Sequence, residues 1–218
     1  MLRRFYQNHR VKLEKLDQFL LGNPILERGL VLAPVVVTCT SLWNALFLSA
    51  SFSIITVFTI CITFFIPKKL PYTIRVILNA AIATFLFIPL SLLIRQKWPE
   101  MILSLGVYLP LLATNSLIVQ KSESRYHHES FPVMLIQLLS ACLGFTVTAF
   151  LVALVRELFG KGTLFGIAVN GIQITTPALL LPFCGFLLLG FLAAILQKIR
   201  LYLEKPPRRK QRKETHHV

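Results

Sequence analysis

Two proline-bearing apolar runs set the terms on which this chain can fold. GLVLAPVVVTCTSLWN covers Gly29 to Asn44, and GVYLPLLATNSLIVQ covers Gly106 to Gln120. Each places a threonine four residues after its proline: Thr38 after Pro34, and Thr114 after Pro110. A proline inside a helix removes a backbone N–H and crowds the preceding turn. Lipid offers no substitute partner, so such an interruption persists only where protein or a lined cavity satisfies the freed groups. Two matching interruptions about 76 residues apart predict a duplicated unit with a shared central site, as in inverted-repeat membrane proteins.

The rest of the chain reads as a polytopic membrane protein. Of its 218 residues, 55% are hydrophobic and only 15% charged, well below the roughly 25% charged of soluble domains. The net charge of +14 sits at the ends and in short loops. Without a basic face interleaved with aromatics, nucleic acid is not expected as a partner; membrane lipid is. Cys39, Cys61, Cys142 and Cys184 stand singly in apolar runs with no CxxC pair, which reads as four small buried hydrophobes.

Apolar segments near 29–49, 51–66, 76–94, 101–120, 132–155 and 178–199 predict six transmembrane helices, most of them close to the ~20 residues a crossing needs. Three regions result: a cytoplasmic amphipathic segment (1–22), a membrane domain (23–203) and a basic cytoplasmic tail (204–218). In the first, Leu13, Leu16 and Leu20 recur at helical spacing, as in a helix lying on the membrane surface, the alternative being a solvated arm. Its basic start is not followed by the apolar core of a cleavable signal peptide.

Lysine and arginine cluster before the first segment, at Lys68, Lys69 and Arg75, at Lys121 and Arg125, and from Lys198 onward. The other side holds only Arg95, Lys97, Arg156 and Lys161. That asymmetry predicts both termini in the cytoplasm. The tail KPPRRKQRKETHHV comes directly after the last span, as a positive-inside signal against anionic lipid or as a docking site for an acidic subunit.

No Walker loop, HExxH or GxSxG motif is present, so no catalytic residue is assigned. Acidic residues are nearly absent from the spans, which argues against a carboxylate relay. His127 with His128, and His216 with His217, lie in polar stretches and read as solvated rather than metal-binding. Arg156 and Glu157 are placed to pair with each other or to cap a helix. Gly160 and Gly162 suit a turn, and Trp98, beside Arg95 and Lys97, suits an interfacial belt better than Trp43 does.

Five stretches occur in a telling order: GLVLAPVVVTCTSLWNAL, PYTIRV, LGVYLPLLATNSLIV, RELFGKGTLFG and LPFCGF. In these the chain resembles the Rnf/Nqr-type membrane subunits, most closely the RnfE/NqrD branch, from about Leu21 to Leu203. The resemblance implies an all-α integral membrane protein of six transmembrane helices, arranged as two inverted three-helix repeats with broken helices at Pro34 and Pro110. It implies the bacterial cytoplasmic (inner) membrane, a homologous RnfA/NqrE-like partner subunit, and further Rnf/Nqr-type subunits. In that family a two-iron iron–sulfur cluster is shared between the paired subunits, each giving two cysteines, in complexes that couple electron transfer to sodium or proton transport.

The chain departs from the family at those cysteines. Ala33 stands before Pro34 where Gly-Leu-Cys-Pro is the pattern, and Ser116 comes after Thr114-Asn115 where Thr-Asn-Cys is. Alanine cannot ligate iron, and serine is a poor substitute for the thiolate of iron–sulfur chemistry. Cys39, about 9 Å beyond Ala33 along a regular helix, would serve only if the break were rebuilt. No cofactor is therefore expected in this chain, and no metal site. The polar equipment of the breaks is Thr38, Asn44, Thr114, Asn115 and Ser116. These groups satisfy freed backbone or bond across helices, or else line a residual pathway at a subunit interface.

The expectation is an Rnf/Nqr-type subunit acting as scaffold and interface with its homologue and not catalytic alone. The alternatives are a cluster-free paralogue that forms a small-solute or ion transporter with a partner, and an assembly or anchoring component.

Overall fold

The computed structural model describes residues 29, 31–66, 70–119, 131–169 and 176–204. The N-terminal segment, the Lys68-Lys69 pair, the loop with His127 and His128, and the basic tail lie outside the described residues.

Helices dominate. A short α1 (Leu32–Thr38) is followed by α2 (Leu42–Phe64) and α3 (Tyr72–Lys97). Next come α4 (Pro99–Leu105) and α5 (Tyr108–Leu111), the latter tightening into a 3-10 turn over Leu112–Thr114. The long α6 (Phe131–Lys161) leads to a two-stranded antiparallel hairpin, β1 (Thr163–Leu164) with β2 (Ile167–Ala168). A second 3-10 turn (Pro177–Leu180) precedes α7 (Pro182–Glu204).

Among the described residues, α2, α3, α6 and α7 are long and apolar enough to cross a membrane. A fifth span forms if the bent pair Pro99–Leu105 and Tyr108–Val119, kinked by 73°, counts as one. At 1.5 Å per residue α6 is about 46 Å long, more than the ~30 Å hydrocarbon layer, so its ends project.

The core is the seam between α2 and α6. Small residues alternate with large ones there: Ala45, Leu48, Phe52 and Ile55 face Ala141, Phe145, Ala149 and Val152, all buried. Phe52 and Phe145 stack with ring centroids 3.9 Å apart. Both α3 and α7 leave long apolar faces outside, among them Phe85, Ile88, Phe186 and Phe191. In water such faces would be a liability; in lipid they are the solvent-facing surface.

Two boundaries differ from the sequence reading. The gap expected between segments 29–49 and 51–66 does not exist, because α2 runs through it from Leu42 to Phe64. The interruption lies earlier, at Cys39–Ser41, where Ser41 adopts an extended conformation and its hydroxyl accepts from the Asn44 N–H at 3.3 Å. A hydropathy window smooths over this break, since only three residues, two of them hydroxyl-bearing, stand between long apolar stretches. A serine cap marks it instead.

The prolines are also not the points of rupture. Each is the third residue of a short helix, Pro34 in α1 and Pro110 in α5. The first N–H groups of a helix have no intrahelical partner, so proline costs no bond there. The chain turns just before each helix, at Val31 (φ 58°) and at Gly106 (φ 52°). Gly106 tolerates that region freely, whereas Val31, being β-branched, is held there against its preference.

Candidate functional site

The two interruptions share a plan: a residue at positive φ, a short helix with proline third, a break, and a polar side chain capping the next helical turn. They also touch, since α1 packs against α5 and Val35, Val36, Leu109 and Leu112 share one buried cluster.

The first break is held by α6. Arg156 has 0% exposure and Glu157 1%. Successive helical residues diverge by about 100°, and the two side chains reach opposite sides of the break. Arg156 Nη1 donates to the carbonyls of Val36 at 2.6 Å and Cys39 at 3.3 Å, at the C-terminal end of α1. Its Nε donates to Leu179 O at 3.0 Å, and Nη2 donates to Leu180 O and Leu181 O. Glu157 Oε2 accepts from the Leu42 N–H at 2.6 Å, the first residue of α2. Its Oε1 accepts from Gly166 N at 2.9 Å and Thr163 Oγ1 at 3.2 Å in the hairpin. A cation thus meets the negative pole of one helix and a carboxylate the positive pole of the next.

The second break uses neutral groups. Asn115 Nδ2 donates to Leu112 O at 2.8 Å and to Thr56 Oγ1 of α2 at 3.2 Å, while its Oδ1 accepts from Ile118 N at 2.9 Å. About 18 Å nearer the start of α2, Asn44 Nδ2 donates to Thr38 O at 3.1 Å and to Ser104 Oγ of α4 at 2.8 Å. Ser104 Oγ returns a bond to Asn44 Oδ1 at 3.1 Å. Asn44 therefore links the end of α1 to the helix preceding Gly106.

Of the sequence-predicted residues, Thr38, Asn44 and Asn115 are buried within the chain. Thr38 Oγ1 donates to Pro34 O at 2.7 Å, and Thr114 Oγ1 donates to Leu111 O at 3.3 Å. Thr114 is exposed, as are Ala33 and Ser116. Cys39 lies at the first break with its side chain in the core. Arg156 and Glu157 cap helix ends, which was one of the two roles open to them.

Gly160 needs a correction: it lies inside α6, where a Cβ would meet Leu180 Cδ2 at 2.9 Å, so it is a close-packing position, and only Gly162 (φ 69°) makes the turn. Trp43 needs another. It joins Trp98 in one aromatic group, Trp43 and Trp98 both contacting Phe47, with the Trp43 indole N–H donating to Phe165 O at 3.3 Å.

Sequence reasoning missed Ser41, Thr56 and Ser104, hydroxyls unremarkable in any span, and Gly185. A Cβ at Gly185 would come within 2.9 Å of Val36 O, so α7 closes tightly on α1. The signal for the Arg156–Glu157 clamp was present: adjacent opposite charges at the end of an apolar run.

Fold and site together define a multi-pass helical membrane protein organised around two interrupted helices. A family model described as "Rnf-Nqr subunit, membrane protein" matches residues 13–193. The E-type subunit of the ion-translocating oxidoreductase complex of Shewanella loihica is 31% identical over 201 residues, covering 84% of this chain and 85% of that protein. The D-type subunit of the Na(+)-translocating NADH-quinone reductase of Pseudoalteromonas translucida is 28% identical over 185 residues, covering 82% and 88%. The chain belongs to the Rnf-Nqr family of membrane subunits, in its RnfE/NqrD-like branch.

Proposed function

We propose that this chain is the RnfE/NqrD-like membrane subunit of an ion-translocating electron-transport complex, and that it supplies scaffold and interface rather than a redox centre. It has six spans in two inverted three-helix repeats. It lies in the bacterial inner membrane with both termini cytoplasmic and pairs with an RnfA/NqrE-like homologue. The complexes named for its relatives support the assembly, and the shared plan of the two breaks supports the repeats. The aromatic group draws together the start of α2, the end of α3 and the hairpin after α6, which supports an antiparallel bundle with Arg95, Lys97 and Lys161 at its sparsely basic, outer end.

One observation carries the reading of the site. The exposed positions on the two interrupted helices, where the family places cysteines, hold Ala33 and Ser116. A methyl group donates nothing to iron, and a single hydroxyl oxygen replaces two thiolates, so this donor set does not fit a shared two-iron cluster. The polar residues of the breaks then serve packing and the subunit interface. The test is the heterodimer co-purified with its homologue: iron content, visible absorbance and the reduced-state EPR signal. The expected result is no stoichiometric iron in the natural pair, with iron acquired by the A33C/S116C double variant. Stoichiometric iron in the natural pair overturns the reading.

The buried polar residues Thr56, Thr59, Asn79, Gln137 and Ser140 in α2, α3 and α6 favour the second reading, a cluster-free transporter. An iron-free heterodimer that dissipates an ion gradient in proteoliposomes would select it.

A further inference from the structure

Arg156 is fully buried, and the partners of its guanidinium are backbone carbonyls of two separate segments: Val36 and Cys39 from α1, and Leu179, Leu180 and Leu181 from the 3-10 turn before α7. We propose that these five carbonyls form a cation cage of guanidinium class which the chain fills with its own side chain, so that Arg156 is a tethered cation and the positioning residue for the α1 half-helix.

The donor count supports this. A guanidinium carries five N–H groups in a planar fork, and here it meets five carbonyl oxygens. Four of the carbonyls lie where a helix end leaves them loose: Val36 is within the last turn of α1, Cys39 is its cap residue, and Leu179 and Leu180 end the 3-10 turn, while Leu181 O also accepts from the Cys184 N–H at 3.1 Å. Both ends gather partial negative charge on one point. The backbone of α7 shuts one side, since Gly185 leaves no room for a Cβ against Val36 O. Water is thereby kept from carbonyls that would otherwise turn to it. A lysine would bring equal charge on a single nitrogen with three donors, too few and too close together to span both segments.

The position of α1 follows from the cage. Val36 lies one turn beyond the exposed Ala33, so fixing its carbonyl fixes the surface that α1 presents.

The experiment uses the full-length chain in lipid nanodiscs, with Cys61, Cys142 and Cys184 replaced by alanine. The buried Cys39 thiol beside the cage then reports opening of the break through its labelling rate with a membrane-permeant maleimide. R156A should label at least about tenfold faster than the parent. Millimolar guanidinium should return that rate toward the parent's, and sodium at matched ionic strength should not. R156K should label at an intermediate rate and respond little to guanidinium. E157Q should also label faster, but without rescue, because it loosens the α2 side of the break. Unchanged labelling in R156A overturns the proposal, as does equal rescue by sodium or guanidinium rescue of E157Q. If R156A does not fold, R156K carries the test, and labelling equal to the parent's overturns it.

Discussion

The two interruptions solve one problem with different chemistry. At the first, a buried arginine and glutamate from α6 satisfy the loose ends of α1 and α2. At the second, the Asn115 amide of the break itself does so, held by the Thr56 hydroxyl of α2. Charged groups in a dry interior are costly to bury and costlier to leave half-paired, whereas neutral amides carry smaller stakes either way. The first break should therefore behave as a single locked unit and the second as a set of modest, separable contacts.

The largest effect should come from Glu157→Ala. It strands two backbone N–H groups and the Thr163 hydroxyl. With each stranded donor costing about 1–3 kcal/mol, a total loss of about 3–5 kcal/mol is expected, read by steric trapping or SDS unfolding in bicelles. Asn115→Ala is the matched variant at the second break. It removes the cap on Ile118 and the bond to Thr56, and should cost about 1–2 kcal/mol. Equal losses at the two sites would abolish the distinction between charged and neutral repair.

The clamp was only half legible because a sequence records local patterns and not distant contacts. The apolar runs, the proline–threonine twins and the motif from Arg156 to Gly166 are local, and from them the membrane class, the family and two interrupted helices could be read. The partners of Arg156 are not local: Val36 and Cys39 lie in and just after α1, and no pattern ties a side chain to a distant carbonyl. The same holds for Asn44 with Ser104 and Asn115 with Thr56. Hydropathy misplaced the first break because Cys39, Thr40 and Ser41 are too few to register between long apolar stretches, and the Ser41 cap gives the position away.

The smallest effect is expected where the sequence pointed most insistently. Pro89 lies in the middle of α3, and that helix continues unbroken to Lys97, so an apolar run here accommodates a proline without rupture. Pro34 and Pro110 occupy first turns, where the lost N–H had no partner to begin with. The breaks are instead held by Val31, Gly106, the Ser41 cap and the clamp from α6. Pro34→Ala should consequently leave α1 in place and cost only about 0.4–1 kcal/mol, the conformational freedom returned to the unfolded chain. Cys39 labelling should stay at the parent rate. A loss approaching that of Glu157→Ala, or rapid labelling of Cys39, would restore the proline as the cause of the first break and reduce the charged clamp to its consequence.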